Sequence, residues 1–307
     1  MKKKTLFSLK SPYREQLDVI GYSFGRGKKA LVIVGAMRGN EVQQMYVCSR
    51  MVQELKRLEA DGKLAENCEI LVIPCVNYYS MNLGKRFWAM DNTDINRMFP
   101  GYDQGETTQR IAAGVFEQLQ GYEYGIQLAS FYQQGIFLPH VKLMDTGFTD
   151  PGMLKDFGLE FGIVRKPRPY DTTTLNYNWQ IWETKAFSVY ANATDEIDEK
   201  AACEAVNAIL RFMDNRGLVS TKTPPGYRTV VLDESETEQI QAGAAGLFFS
   251  TVEIGATVEK DDILGRIVDP FECTTVGEIR TPVSGTVYFA YHSPLINEKT
   301  VCFKIIK

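Results

Sequence analysis

Short apolar runs separated by longer amphipathic segments organise the first two thirds of the chain. Residues 30–35 and 69–75 are almost entirely apolar, which is typical of strands buried on both faces of a sheet. Between them, apolar residues recur at helical spacing over 42–57. The same patterns predict further helices over 106–119 and 199–215 and further strands over 124–130, 137–143, 159–165 and 186–190. This alternation predicts an α/β domain with a mainly parallel sheet and helices on both of its faces.

The pattern changes at the Pro-Pro-Gly segment within residues 221–226. After it, short strands punctuated by glycine and proline are predicted over 246–249, 252–255, 258–265, 279–282 and 285–289. Such spacing is typical of a small all-β barrel or sandwich. We therefore predict two domains, residues 1–225 and a small barrel-like domain of residues 226–307.

The glycine-rich turns of the second domain, such as residues 281–285, resemble those of lipoyl and biotin carrier domains. The hairpin of residues 273–279 contains no lysine that would carry such a cofactor. We therefore expect a structural or lid-like role for this domain.

Charge and composition exclude several kinds of partner. The chain has 34 Lys and Arg against 38 Asp and Glu, so it lacks the basic field that gathers nucleic acid. It contains no apolar run long enough to cross a membrane and no signal-peptide core, which predicts a cytoplasmic protein without a membrane partner. Its six cysteines include no Cys-x-x-Cys pair, and its two histidines limit any metal site.

Polar residues that could carry chemistry follow the predicted strands, where the sites of open parallel sheets form. One segment is Gly-Ala-Met-Arg-Gly-Asn-Glu at residues 35–41. A second spans residues 84–101 and contains Asp94-x-Asn-Arg-x-Phe-Pro-Gly101. The third and fourth segments are residues 124–130 and 186–192.

In this order and spacing the four segments resemble the succinylglutamate desuccinylase and aspartoacylase family, which is related to the zinc carboxypeptidases. The segment of residues 94–101 is the most specific match, and the resemblance covers about residues 30–215. It implies a zinc-carboxypeptidase-like α/β domain that hydrolyses the amide bond of N-acyl amino acids or similar small carboxylates. It also implies one zinc ion held by two histidines and a glutamate, a glutamate as general base, and arginines that hold the substrate.

The resemblance transfers only part of this chemistry to the present chain. Glu41 matches the ligand glutamate, whereas Arg38 and Ala129 stand at the two ligand histidines and Tyr190 stands at the general base. A guanidinium group has no lone pair to give to zinc, so zinc is predicted to be absent or weakly bound. Arg38 either replaces the positive charge of the metal beside Glu41 or forms an ordinary loop ion pair. His140 is a candidate substitute ligand, although a structural role in its strand is favoured.

The positions that hold substrate in the family are retained. Arg86, Asn96 and Arg97 match them, and the catalytic set carried over is Glu41, Arg86 and Tyr190. An alternative for Asn96 and Arg97 is that they only fix their loop by hydrogen bonds. Arg168 lies in a cationic, proline-stiffened loop over residues 165–171, which is either an anion-binding lid or a solvated surface.

Three functions stay open at this point. The first is a zinc-dependent deacylase of the family type. The second is a non-catalytic descendant, a pseudoenzyme that binds a small carboxylate or pairs with and regulates an active relative. The third is a metal-independent activity using Glu41, Tyr190 or Asp94. The expected partners are a small carboxylate ligand and either a second copy of the chain or an active relative.

Overall fold

The chain forms two compact units in a computed structural model that describes residues 1–12 and 15–307. The larger one, called unit 1, comprises Met1–Ser130, Pro139–Ala191 and Asp195–Val231. Unit 2 comprises Phe131–Leu138, Asn192–Thr194 and Leu232–Lys307. Two short segments of unit 2 therefore come from the first two thirds of the sequence.

The helices and strands follow one another along the chain with these bounds. The strands are β1 (Lys2–Leu9), β2 (Leu17–Gly25), β3 (Lys28–Ala36), β4 (Cys68–Cys75), β5 (Tyr124–Ala129), β6 (Gly135–Phe137), β7 (His140–Met144), β8 (Phe161–Arg165), β9 (Lys185–Tyr190), β10 (Val230–Asp233), β11 (Thr237–Gln241), β12 (Gly246–Ser250), β13 (Thr257–Val258), β14 (Ile263–Val268), β15 (Thr275–Arg280), β16 (Gly285–Tyr291), β17 (Leu295–Ile296) and β18 (Val301–Ile306). The α-helices are α1 (Val42–Ala60), α2 (Tyr78–Asn82), α3 (Thr107–Leu119), α4 (Leu175–Ile181) and α5 (Glu199–Asn215). Short 3-10 helices occur at Ile95–Arg97, Pro151–Phe157, Pro169–Asp171 and Glu234–Glu236.

A nine-stranded sheet forms the centre of the fold, with strand order β1-β2-β4-β3-β5-β9-β7-β8-β10. Strands β4, β3, β5 and β9 are parallel neighbours, and β7 pairs in parallel with β8. The pairs β1–β2, β2–β4 and β7–β9 are antiparallel. The predicted mainly parallel α/β sheet is thereby confirmed.

Alternate residues of the central strands enter two different cores. In β3, Leu31 and Ile33 join a core with the buried residues of α1 and α5, whereas Val32 and Val34 join a core with α3 and α4. Both faces of the strand are thus buried, which explains its continuous apolar run. Helices cover both faces of the sheet, as predicted.

The predicted strand over 137–143 is wrong as a single element. It is divided into β6 and β7, which belong to different sheets. Pro139 stands between them and has no N–H group to donate to a strand ladder. Residues 176–182, for which the sequence predicts neither a helix nor a strand, lie mostly in α4.

Unit 2 contains two antiparallel sheets, with strand orders β11-β18-β16-β13 and β15-β14-β12-β17. Segment β6 pairs with β16 at the edge of the first sheet. The strand predicted over 252–255 is wrong, because this stretch is a turn in which Gly255 has φ +85°. The strand predicted over 258–265 is interrupted by a turn in which Asp261 has φ 71°.

Among the residues that the structure describes, no helix is both long and apolar enough to span a membrane.

Candidate active-site region

The loop after β3 forms the first part of the candidate site. β3 ends at Ala36, and α1 follows with Glu41 at its N-cap position. Gly39, between them, donates its backbone N–H to the carbonyl oxygen of Arg86 at 2.8 Å. A Cβ atom at Gly39 would lie 2.1 Å from the carbonyl oxygen of Lys85. Glycine is required here because the loops after β3 and β4 touch backbone to backbone.

The guanidinium group of Arg38 joins two carboxylates. Its Nη1 atom donates to Oε1 of Glu41 at 2.9 Å, and its Nε and Nη2 atoms donate to Oδ2 of Asp94 at 3.0 and 2.8 Å. Arg38 is 7% exposed and Glu41 is 1% exposed. Burial alone would lower the pKa of Arg38, but the charges of Glu41 and Asp94 outweigh it and hold that pKa above its ordinary value. The group is therefore a permanent internal cation.

Both oxygens of Glu41 are occupied by donors from the protein. Oε2 accepts the backbone N–H groups of Met37 and Arg38 at 2.7 and 2.9 Å. Oε1 accepts hydrogen bonds from Arg38 and from the hydroxyl of Ser130. Asp94 uses its second oxygen to accept the backbone N–H of Asn96 at 3.0 Å, which caps the 3-10 helix Ile95–Arg97. The charge network thereby joins the segments that follow β3, β4 and β5.

Arg86 lies half-buried beside this network. Its Nη1 atom donates to the side-chain oxygen of Asn40 at 3.1 Å. Burial and the positive charge of Arg38 lower the pKa of Arg86, although Glu41 and Asp94 oppose this shift. The charged form of Arg86 is therefore less favoured than that of an ordinary arginine, and a nearby anion would stabilise it.

Asn96 and Arg97 contact the segment before α4. The Oδ1 atom of Asn96 accepts the backbone N–H of Leu175 at 3.3 Å, and Asn96 is buried. Arg97 donates to the carbonyl oxygen of Tyr170 at 2.7 Å and lies 3.9 Å from the carboxylate of Asp171. These contacts match the alternative in which Asn96 and Arg97 fix their loop by hydrogen bonds to neighbouring backbone.

A buried carboxylate organises the cationic loop of residues 165–171. Asp171 accepts a hydrogen bond from Arg165 at 2.7 Å and another from the backbone N–H of Arg168 at 2.8 Å. The side chain of Arg168 donates to the hydroxyl of Tyr170 at 2.7 Å. Burial alone would raise the pKa of Asp171, but these hydrogen bonds and the charges of Arg165 and Arg97 outweigh it, so that this pKa is lowered. Part of the positive charge of this loop is therefore neutralised internally.

The lowered pKa of Asp171 predicts a pH-dependent contribution to stability. The contribution is fully present above the unfolded-state pKa, about 4, and is lost as the pH falls through the lower folded-state value. We expect the difference in unfolding free energy between the wild type and Asp171→Asn to be constant down to about pH 5 and to shrink below about pH 4. Urea unfolding at a series of pH values measures it, with the exposed Asp103→Asn as control. A difference that is constant down to the lowest pH would contradict the assignment.

Three predicted site positions lie side by side at the carboxyl edge of the sheet. Ala129 of β5 pairs with Tyr190 of β9, which in turn pairs with His140 of β7. The rings of His140 and Tyr190 stack, with centroids 4.8 Å apart and planes 4° apart. Since neighbouring strands are about 4.8 Å apart, the backbones of Ala129 and His140 are about 10 Å apart. His140 is thus a buried residue packed on Tyr190, two strands from the position that it would replace.

Comparison with known proteins supports the family that the four polar segments resemble. Residues 27–128 match the model of the succinylglutamate desuccinylase/aspartoacylase catalytic domain. The fold matches a solved succinylglutamate desuccinylase from Silicibacter sp. TM1040 over 100% of this chain and 95% of that one, with a TM-score of 0.84 and 16% identity. It also matches an aspartoacylase family protein from Mesorhizobium loti over 100% and 95% of the two chains, with a TM-score of 0.80 and 19% identity. The resemblance to the succinylglutamate desuccinylase/aspartoacylase family is confirmed.

A curated relative supports the same family at lower coverage. An N-alpha-acetyl-L-2,4-diaminobutyric acid deacetylase from Halomonas elongata is 27% identical over 88 residues. The match covers 29% of this chain and 24% of the relative, so the chain matches about a quarter of that protein's length. This partial match supports the family.

The resemblance assigns Arg38, Glu41 and Ala129 to the positions of the zinc ligands. A catalytic zinc needs three protein ligands with free lone pairs. Of these positions only Glu41 offers such an atom. Each of its two carboxylate oxygens already accepts two hydrogen bonds from the protein, one of them from the cation Arg38. In residues 1–12 and 15–307, no group of three or more His, Cys, Asp or Glu side chains is arranged as metal ligands.

Two residues of the network were not predicted as partners of Arg38. The sequence offers Asp94 as part of the motif and as a candidate for a metal-independent activity, and Ser130 as the last residue of the third polar segment. Hydrogen bonds join them to Arg38 and Glu41 across 56 and 89 positions of sequence. The signal that could have found Ser130 is its position as a polar residue directly after β5, where the sites of parallel sheets form.

Proposed function

We propose that this chain binds an N-acyl amino acid or a similar small carboxylate at the carboxyl edge of its sheet, without zinc-dependent hydrolysis. The observation that carries the proposal is the guanidinium of Arg38, which bonds to both Glu41 and Asp94. A positive charge is therefore already paired with Glu41, the one carboxylate at the matched zinc position, and with Asp94. The chain would then be a non-catalytic descendant of a deacylase.

The loss of hydrolysis follows from the chemistry of water. Zinc lowers the pKa of a bound water from about 15.7 to about 7, and a carboxylate then removes its proton. Here the ligand set contains one carboxylate, and Tyr190 replaces the general base. A phenol is a poor substitute for a carboxylate base, and the ring of Tyr190 is stacked on His140.

Retention of binding is supported by Arg86. It lies beside the network, where burial and Arg38 disfavour its charge. A bound carboxylate next to Arg86 would stabilise the positive charge of its guanidinium group. Guanidinium groups bind carboxylates through paired hydrogen bonds. The retained family motif and the catalytic-domain match over residues 27–128 support a ligand of the family's class.

Isothermal titration with N-acetyl-L-2,4-diaminobutyrate and N-succinyl-L-glutamate tests the binding. We expect one of them to bind the wild type, and Arg86→Met to weaken that binding about tenfold or more, the size of a lost charged hydrogen bond. Arg110→Met, an exposed arginine on α3, is the matched control and should bind as the wild type does. Binding that is equal in all three proteins would place the ligand elsewhere.

Hydrolysis is tested on the same compounds by measuring released amine with and without added zinc. We expect no release above the blank in either condition. Zinc-dependent release that Glu41→Gln abolishes would overturn the proposal and favour the deacylase.

A further inference from the structure

A cavity of about 610 Å³ lies at the opposite edge of the sheet, within unit 1. It is formed where β3 and β4 begin, just before β5 and β9, and after α5. Its volume is in the range of small-molecule sites. No part of the charge network around Arg38 lines it.

Backbone hydrogen bonds hold the rim of this cavity. Glu123 donates its backbone N–H to the carbonyl oxygen of Lys29 at 3.0 Å, and Lys185 donates to Glu123 at 3.0 Å. Lys28 donates in the same way to Asn67 at 3.1 Å. The segments around the cavity are therefore tied to one another, and the cavity is preformed.

Left-handed backbone occurs at four positions of the same rim. Asn67 and Glu183 have φ values of 55° and 64°, which side chains other than glycine rarely adopt. Gly121 and Gly217, also in the rim, have φ values of 80° and 66°. Three of these residues directly follow the C-cap residues of α3, α4 and α5, and Asn67 directly precedes β4, so helix ends and a strand start fix the shape of the rim.

An exposed indole forms one wall. Trp182 is 44% exposed, while Trp88 and Trp179 are 1% and 0% exposed. Its ring meets that of Phe116 edge to face, with centroids 5.4 Å apart and planes at 85°. The indole is thereby held in one orientation with a large apolar surface free to contact a ligand.

Charged side chains of both signs also line the cavity. Within the described part of the chain, no hydrogen bond or ion pair involves the side chains of Lys28, Glu66 or Glu183. By contrast, the Nζ atom of Lys29 donates to the carbonyl oxygen of Gln120 at 2.9 Å. The cavity thus offers a ligand the ammonium of Lys28, which also lies in the field of Glu123, and the carboxylates of Glu66 and Glu183.

We propose that this cavity binds a zwitterion with an apolar side chain, of the class of the free apolar amino acids. The ammonium group would pair with Glu66 and the carboxylate with Lys28, which lie at the starts of the neighbouring strands β4 and β3, and the side chain would extend along the cavity to Trp182. The proposal is independent of the function proposed for the carboxyl edge, because it uses none of the same residues.

Fluorescence titration with L-phenylalanine tests this, with red-edge excitation so that tryptophan dominates the signal. We expect a saturable change that Trp182→Phe abolishes, because the other two tryptophans are buried. Phenethylamine lacks the carboxylate and hydrocinnamate lacks the ammonium, and each should bind about tenfold more weakly than phenylalanine.

Charge variants assign the two ends of the ligand. Glu66→Gln should bind phenylalanine no better than the wild type binds hydrocinnamate. Lys28→Met should bind phenylalanine no better than the wild type binds phenethylamine. Thermal melting checks that each variant is folded. A signal that persists in Trp182→Phe, equal affinity for the three compounds, or no saturable change with any of them would overturn the proposal.

Discussion

Replacing Arg38 by methionine should lower the free energy of unfolding by about 3–5 kcal/mol, the usual cost of removing one partner from a buried ion pair. The substitution leaves Glu41 and Asp94, whose side chains are 1% and 15% exposed, without their shared cation. Urea unfolding followed by circular dichroism measures the change. We expect a value near the upper end of ordinary point mutations.

The control for this experiment is Arg57→Met on α1. The side chain of Arg57 is 52% exposed and also forms ion pairs with two carboxylates, those of Glu54 and Asp61. Exposed pairs contribute little, so the control should change stability by no more than about 1 kcal/mol. Equal effects of the two substitutions would mean that the backbone N–H groups at Glu41 compensate its charge without Arg38.

Truncation of Phe212 to alanine should destabilise the protein by about 3–5 kcal/mol, because it opens a cavity in the aromatic centre of unit 1. Phe212 is fully buried, and its ring lies 4.5 Å from that of Phe157 and 5.3 Å from those of Tyr124 and Phe187. Thermal and urea unfolding measure the loss.

The exposed aromatic residue Tyr102 provides the comparison for Phe212. It is 56% exposed, so Tyr102→Ala should change stability by less than about 1 kcal/mol. A small effect of Phe212→Ala as well would show that the three neighbouring rings collapse into the vacated space.

The central elements were predictable because double-sided burial leaves a strong signal in the sequence. The run at 30–35 corresponds to β3, Lys28–Ala36, and the helical pattern over 42–57 to α1, Val42–Ala60. Strands β1 and β2 were not predicted. β1 begins with three lysines and lies at the sheet edge with mostly exposed residues, so its apolar pattern is weak.

The candidate site was predictable only where its contacts are local. Arg38 and Glu41 are three positions apart, and their pairing was one of the alternatives drawn from the sequence. The bond between Arg38 and Asp94 depends on the loops after two neighbouring strands meeting. Contacts of this range arise from the packing of the sheet, and spacing along one sequence does not contain them.

The same limit explains the placement of Asn96 and Arg97. Their motif was recognisable, and the two uses weighed for it were substrate binding and loop fixing. The structure gives each of them backbone partners near α4, Leu175 for Asn96 and Tyr170 for Arg97. Such partners lie more than seventy positions away in the sequence, out of reach of any local pattern.

The way the two units share the chain has a consequence for genetics. The chain passes between unit 1 and unit 2 after residues 130, 138, 191, 194 and 231. Segment β6 pairs with β16, so a stop codon near the predicted boundary at 225 would remove the strand with which β6 forms its ladder. Neither half of such a split gene would encode a complete unit. The two units can therefore be expressed, or exchanged by recombination, only as one piece.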